Sequence, residues 1–130
     1  MRTLIDTSAW IEFLRRNGDV QLKSQVADLI GSGRAAYTCP VRFELYAGAR
    51  GPEQRMLDEA LSFAGRLVVS SELWDKAAAH AAALRAMGIT VPASDLLIAT
   101  VAVENHTSLL ARDDHFGMIR QGVMPGLQLT

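Results

Sequence analysis

The sequence predicts a three-layer α/β/α domain around a mainly parallel central sheet. Three observations predict it. Short apolar runs alternate with amphipathic helical stretches along the whole chain, the pattern of β-α units. The segment ASDLLIATVAVEN is apolar on almost every side, as a helix buried between layers is. At 130 residues and 49% hydrophobic, the chain can bury a real core and is read most economically as one domain over 1–130.

The elements follow in order. Met1 to Ile5 reads as a short, fully buried strand. From Ser8, the residues Trp10, Ile11, Phe13 and Leu14 form a helical face that stops before Asn17-Gly18. Val20, Leu22, Val26, Leu29 and Ile30 fit a helix from about Asp19 to Gly31-Ser32-Gly33, and Ala35 to Cys39 is the next strand. Pro40 suits the first turn of a third helix, VRFELYAGA, which ends at Gly48 or at Gly51-Pro52. Glu53 to Ala64 is helical, Arg66 to Val69 a strand, and Ser71 opens a long Ala-rich helix stopped by Gly88. After the buried helix, Thr107 to Ala111 is a strand, Asp113 to Ile119 a short helix, and Gly126 to Thr130 a final edge strand.

Composition excludes several classes. Apolar stretches are interrupted within a few residues by charge or Gly, and no charged-then-apolar leader opens the chain. No membrane span or secretory signal is expected, and the expected location is cytoplasmic. The single Cys39 cannot form an internal disulfide and is expected to be a small core thiol. Trp10, Phe13, Phe63 and Trp74 are expected in the core as well, with a surface for a partner chain as the other reading. A formal net charge of -1 argues against coating nucleic acid through bulk electrostatics, but not against local phosphate contact. Only Lys23 and Lys76 are lysines, so nearly all positive charge is Arg, whose planar fork pairs with phosphate at two points.

In open parallel sheets, ligands bind at the carboxyl ends of strands where connections part. Asp6 stands at such an end, followed by Thr7 and Ser8 at a helix start; alone it could be an N-cap. Asp113 follows the apolar run SLLA with a helix opening after it, which places two carboxylates on one sheet edge. Glu44, in VRFELYAG, has Ala47 and Gly48 on its own face, so another element can approach closely and Glu44 is expected to point into a crevice; an exposed Glu is the other reading, because Arg42 and Tyr46 make part of this helix polar. Asp95 leads the most apolar helix; it could be a cap aided by the helix dipole, yet an unpaired buried charge there would cost several kcal/mol unless a cavity holds a cation or water. Asp114 is read as a secondary ligand or a helix cap. His115 is read as an exposed helix-start histidine, with an added ligand or base as the other reading, and His80 and His106 receive no role.

Carboxylates gathered in this way repel one another unless divalent cations sit among them. An oxygen-only donor set favours Mg²⁺ or Mn²⁺ over softer ions, and such ions support phosphodiester hydrolysis.

The order LIDTSAW, FELYAG, PASDLLIAT, LLARDDHF resembles the PIN-domain ribonucleases, and the short length resembles the VapC-type toxins of bacterial toxin-antitoxin pairs. The likeness covers essentially the whole chain. It implies an acidic site of Asp6, Glu44, Asp95 and Asp113, with Thr7 or Ser8 as a metal-water contact. The family often carries another Asp where His115 stands, so DDHF departs from the pattern. The resemblance further implies a Mg²⁺- or Mn²⁺-dependent endoribonuclease acting on structured RNA such as tRNA or ribosomal RNA loops. It also implies a homodimer inhibited by a small antitoxin. Loops suit such a site because unpaired nucleotides can be splayed into in-line geometry. Two other readings fit the same residues. A phosphotransfer receiver-like domain also gathers strand-end acids, though a strand-end Lys is lacking; a non-catalytic RNA- or protein-binding module is the other.

Overall fold

The computed structural model describes residues 1–130. Four short strands, β1 (Thr3–Ile5), β2 (Ala35–Thr38), β3 (Gly65–Leu67) and β4 (Ser108–Leu110), form one parallel sheet in the order β3-β2-β1-β4. Seven helices flank it: α1 (Thr7–Leu14), α2 (Val20–Gly31), α3 (Cys39–Gly48), α4 (Pro52–Ser62), α5 (Ser71–Ala86), α6 (Ala93–Glu104) and α7 (His115–Gly122). This is the three-layer α/β arrangement the alternation predicts, and each helix and strand lies within a few residues of its expected place.

The order of strands decides where a site can form. From β1 the chain moves outward through β2 to β3, then crosses back to place β4 on the other side of β1. The carboxyl ends of β1 and β4 are therefore where connections leave in opposite directions, the crevice-forming point of an open parallel sheet. Their register is fixed by Thr3↔Ser108, Leu4↔Leu109 and Ile5↔Leu110, and by a 2.8 Å bond between the Thr3 and Ser108 hydroxyls. A last ladder bond, from Asp6 N–H to Leu110 O at 2.9 Å, carries the pairing into the site itself.

Local chemistry sets the helix starts. Asp19 caps α2 by accepting from Leu22 N–H at 2.9 Å, Ser70 caps α5, and Pro40 and Pro52 occupy first turns. At the end of α5, Gly88 takes φ +79, a conformation that strains other residues. Helix α6 is apolar all round, and eight of its residues in succession, Asp95 to Ala102, are buried. It packs against α3, α5, α7 and β4, which is why no polar face interrupts its sequence.

Four expectations fail in detail. Cys39 is exposed: β2 ends at Thr38, and Cys39 opens α3 facing solvent rather than closing the strand toward the core. Trp74 and Phe63 are exposed instead of buried. On α5 the buried positions are Leu73, Ala77 and Leu84, a stripe that Trp74 misses by one residue; Phe63 lies just past α4, whose buried positions are Leu57, Ala60 and Leu61. The expected edge strand at 126–130 is reduced to a single parallel bridge, Leu109↔Leu129, flanked by bonds from Leu109 N–H to Gln128 O and from Thr130 N–H to Leu109 O. Trp10 is fully buried, and Phe13 packs partly buried against the core, as expected.

Candidate active site

Asp6 follows β1 and serves both readings given to it. It is the N-cap of α1: its Oδ2 accepts from Ser8 N–H at 3.2 Å and from the Ser8 hydroxyl at 2.7 Å. It is also buried at the switch point between β1 and β4. Burial pushes its carboxyl above the ordinary range; the Ser8 bonds oppose that shift, and the nearby charge of Asp113 adds to it.

Asp95, in the first turn of α6, is buried and accepts no capping bond at the helix start. Its Oδ2 lies 2.8 Å from His115 Nδ1. Burial raises its carboxyl to about 6; the charges of Asp6 and Asp113 act in the same direction, against the bond to His115. Asp113 sits between β4 and α7. Its Oδ1 accepts from His115 N–H at 2.9 Å and lies 2.9 Å from His115 Nδ1. Asp6, Asp95 and Asp113 thus feel one another's charge, and Asp95, Asp113 and His115 place their ligand atoms within 4.8 Å of one another.

The remaining expected residues are placed differently. Glu44 is exposed on α3 but lines the clefts on either side of that helix, and its Oε1 accepts from the Thr7 hydroxyl at 2.9 Å. It joins the cluster through the residue next to Asp6. Asp114 is exposed and its side chain does not cap α7; the backbone turn gives that task to Asp113. His115 is half-buried between two carboxylates, not an exposed helix-start histidine, and the bond to Asp95 raises its imidazole above the ordinary value. Its position two residues after Asp113, where the resemblance expects an acid, was the available signal. Glu12 escaped sequence reading altogether. It is buried, accepts from Arg15, Arg112 and Asp19 N–H, and is foreshadowed only by its place four residues after Ser8 on α1. Neither lysine stands at a strand end: Lys23 is on α2 and Lys76 on α5, paired with Glu104.

The donor set fits a divalent cation. Three mutually repelling carboxylates, two of them buried, have one nearby imidazole as counter-charge, and carboxylate oxygens with a ring nitrogen are donors that a divalent metal ion accepts.

The PIN domain family model matches residues 3–120. The chain belongs to the PIN-domain family. A PIN-domain reading is joined by similarity to ribonuclease VapC11 from Mycobacterium tuberculosis, 31% identical over 121 residues, covering 89% of this chain and 90% of that protein. Among solved structures, VapBC2 from Rickettsia felis bound to a DNA fragment from their promoter superposes with a TM-score of 0.82 at 20% identity, covering 100% of this chain and 98% of the other. A toxin-antitoxin complex from Klebsiella pneumoniae gives 0.74 at 18% identity, covering 96% and 94%. At those identities the structural matches speak for the PIN fold alone.

Burial of these carboxylates, with the repulsion between them, has a measurable consequence for stability. The folded-state pKa of Asp95 lies above its unfolded value, so its ionisation costs stability that returns as pH falls from about 6 toward 4. The folded pKa of His115 is also raised, so its contribution is present below its unfolded value near 6.5 and is lost as pH rises through the folded one. Both terms favour the mildly acidic side. In EDTA, the melting temperature is expected to rise by several degrees between pH 7.5 and pH 5.5. Saturating Mn²⁺ at pH 7.5 should remove most of that difference, because the cation supplies the counter-charge that the protons gave; thermal melts across the four conditions test it.

Proposed function

We propose that this chain is a metal-dependent endoribonuclease, the toxin of a type II toxin-antitoxin pair, acting as one catalytic domain on structured RNA at tRNA or ribosomal RNA loops. The observation that carries the reading is the coupling of Asp6, Asp95 and Asp113 at the β1/β4 switch point of a PIN-domain chain. The name of the Mycobacterium relative and the toxin-antitoxin title of the Klebsiella complex support the activity and the partner.

Asp6, Asp95 and Asp113, with His115 and with Glu44 at the rim, are the residues that would hold Mg²⁺ or Mn²⁺. Such an ion, when bound, neutralises phosphate charge and acidifies a water for attack on phosphorus. The chain's own contribution is placement. Asp6 is fixed by Ser8, Asp113 by the His115 N–H, and Glu44 by the Thr7 hydroxyl, so the carboxylates face the cleft before substrate arrives. No helix is long and apolar enough to cross a membrane, and a cytoplasmic site of action accords with an RNA substrate. Exposed Phe43 and Trp74, and the cleft that Ile11, Leu14, Leu45 and Met56 line between α1, α3 and α4, offer apolar surface for a homodimer contact and for the antitoxin.

The test is cleavage of total RNA by purified protein after any bound partner has been stripped under denaturing conditions and the chain refolded. Cutting in Mg²⁺ or Mn²⁺ but not in EDTA is expected, and sequencing the new RNA ends identifies the target; inertness under all conditions rejects the proposal. His115 makes a separate prediction. An imidazole donor favours Mn²⁺ over Mg²⁺. His115→Asp is therefore expected to narrow the Mn²⁺/Mg²⁺ affinity ratio by about tenfold, read by calorimetric titration of the metal-free protein.

A further inference from the structure

Three carboxylates of this chain are buried: Asp6, Asp95 and Glu12. The first two belong to the cluster already described, whereas Glu12 is occupied otherwise. Its Oε1 accepts from Asp19 N–H at 3.1 Å and from Arg112 Nη1, and its Oε2 accepts from Arg15 Nη1 at 2.9 Å. The Asp19 N–H, followed by the two guanidiniums, holds its carboxyl below the ordinary range. One carboxylate thus carries two arginines, leaving an excess positive charge.

Those arginines are not used up by Glu12. Each meets the carboxylate through Nη1, and their side chains are 61% and 55% exposed, so the other donors of each fork face solvent. Arg112 is held at a second point: its backbone N–H donates to the Ser8 hydroxyl at 3.0 Å, and that hydroxyl donates to Asp6. Ser8 and Glu12 are one turn apart on α1, so a single helix face fixes both the backbone and the head of the residue preceding Asp113. Arg15, Arg112, Asp113 and His115 line one open cleft of about 650 Å³. A guanidinium immobilised on a buried acid loses little further entropy when it pairs with a phosphate at two points.

We propose that Arg15 and Arg112, seated on the two oxygens of Glu12, form a subsite for a backbone phosphate of single-stranded RNA beside the carboxylate cluster. The subsite rests on the ribonuclease reading only for its ligand class. A cationic pair sharing a cleft with the candidate cutting residues would set which nucleotide of a loop lies across them.

The experiment uses the full chain carrying Asp6→Asn, to keep the probe intact, and a short fluorescein-labelled single-stranded oligoribonucleotide. Its affinity is measured by anisotropy at several KCl concentrations in Mg²⁺. Arg15→Ala and Arg112→Ala are each expected to weaken binding about tenfold and to lower the salt slope by about 0.7. Arg85→Ala, in the last turn of α5, serves as the surface-charge control. Glu12→Gln decides between a built subsite and diffuse attraction. It removes one negative charge, so a diffuse patch tightens binding, while loss of the seat for both forks weakens it. The proposal is overturned if the two arginine variants behave like Arg85→Ala, or if folded Glu12→Gln binds more tightly. Should Glu12→Gln fail to fold by circular dichroism, the two exposed arginine variants decide. Arginine-dependent binding by a chain that cuts nothing would reject the ribonuclease reading and leave the subsite standing; cutting with arginine-insensitive binding would do the reverse.

Discussion

Asp6→Asn is expected to reduce RNA cleavage by about three orders of magnitude while the chain stays folded and melts at an equal or higher temperature. The two effects have one cause. Asp6 is buried at the end of β1 within the charge field of Asp113 and Asp95, so its ionised form is costly without a cation and useful with one. Asn is nearly the same size and keeps an oxygen for the Ser8 contacts that start α1, so the cap is retained. What it removes is the negative charge that would hold the ion and stabilise the transition state, a loss on the scale of other electrostatic deletions, about 10³-fold. Removing a charge that burial penalises, and that Asp113 repels, is expected to hold or raise the melting temperature. Cleavage assays and thermal melts on the same preparation check both halves. An active Asp6→Asn protein would remove Asp6 from the site, and an unfolded one would make it a structural cap.

Trp10→Ala is expected to have the largest effect on stability, about 3–5 kcal/mol, read from urea unfolding. Trp10 is fully buried, packs edge-on against Phe13 with ring centroids 6.2 Å apart, and donates its backbone N–H to Asp6 O at 3.0 Å. Its loss would leave a cavity under the first turn of α1, the turn that presents Asp6, Thr7 and Ser8. Trp74→Ala, at a residue 55% exposed on α5, is expected to change the stability of the isolated chain by less than about 0.5 kcal/mol. A comparable loss at both tryptophans would mean that the core is not where the fold places it.

That contrast shows where sequence reading was sufficient and where it was not. Trp10 falls on the apolar face that Ala9 and the start of α1 bury, so periodicity located it correctly. Trp74 and Phe63 are as apolar, but one residue of rotation puts a side chain on the solvent face, and an Ala-rich helix such as α5 carries too weak a pattern to fix that rotation. Cys39 was misplaced for a related reason: a strand that runs into a helix shows no change of hydrophobicity at the junction, and here the helix begins one residue early.

The sequence by itself determined the order of elements, their parallel arrangement and the three aspartates of the candidate site. Each of these rests on local signals: an apolar run ending in an acid, a cap at a helix start, a helix with no polar face. Tertiary structure alone decided that His115 meets Asp95, that Glu44 meets the cluster through Thr7 at the rim, and that Arg112 reaches Glu12. Those contacts join residues 20, 37 and 100 positions apart, and their distances depend on strand order and helix rotation. Spacing along a chain fixes what neighbours on one element can do; which side chains from different elements meet is settled only when the layers pack.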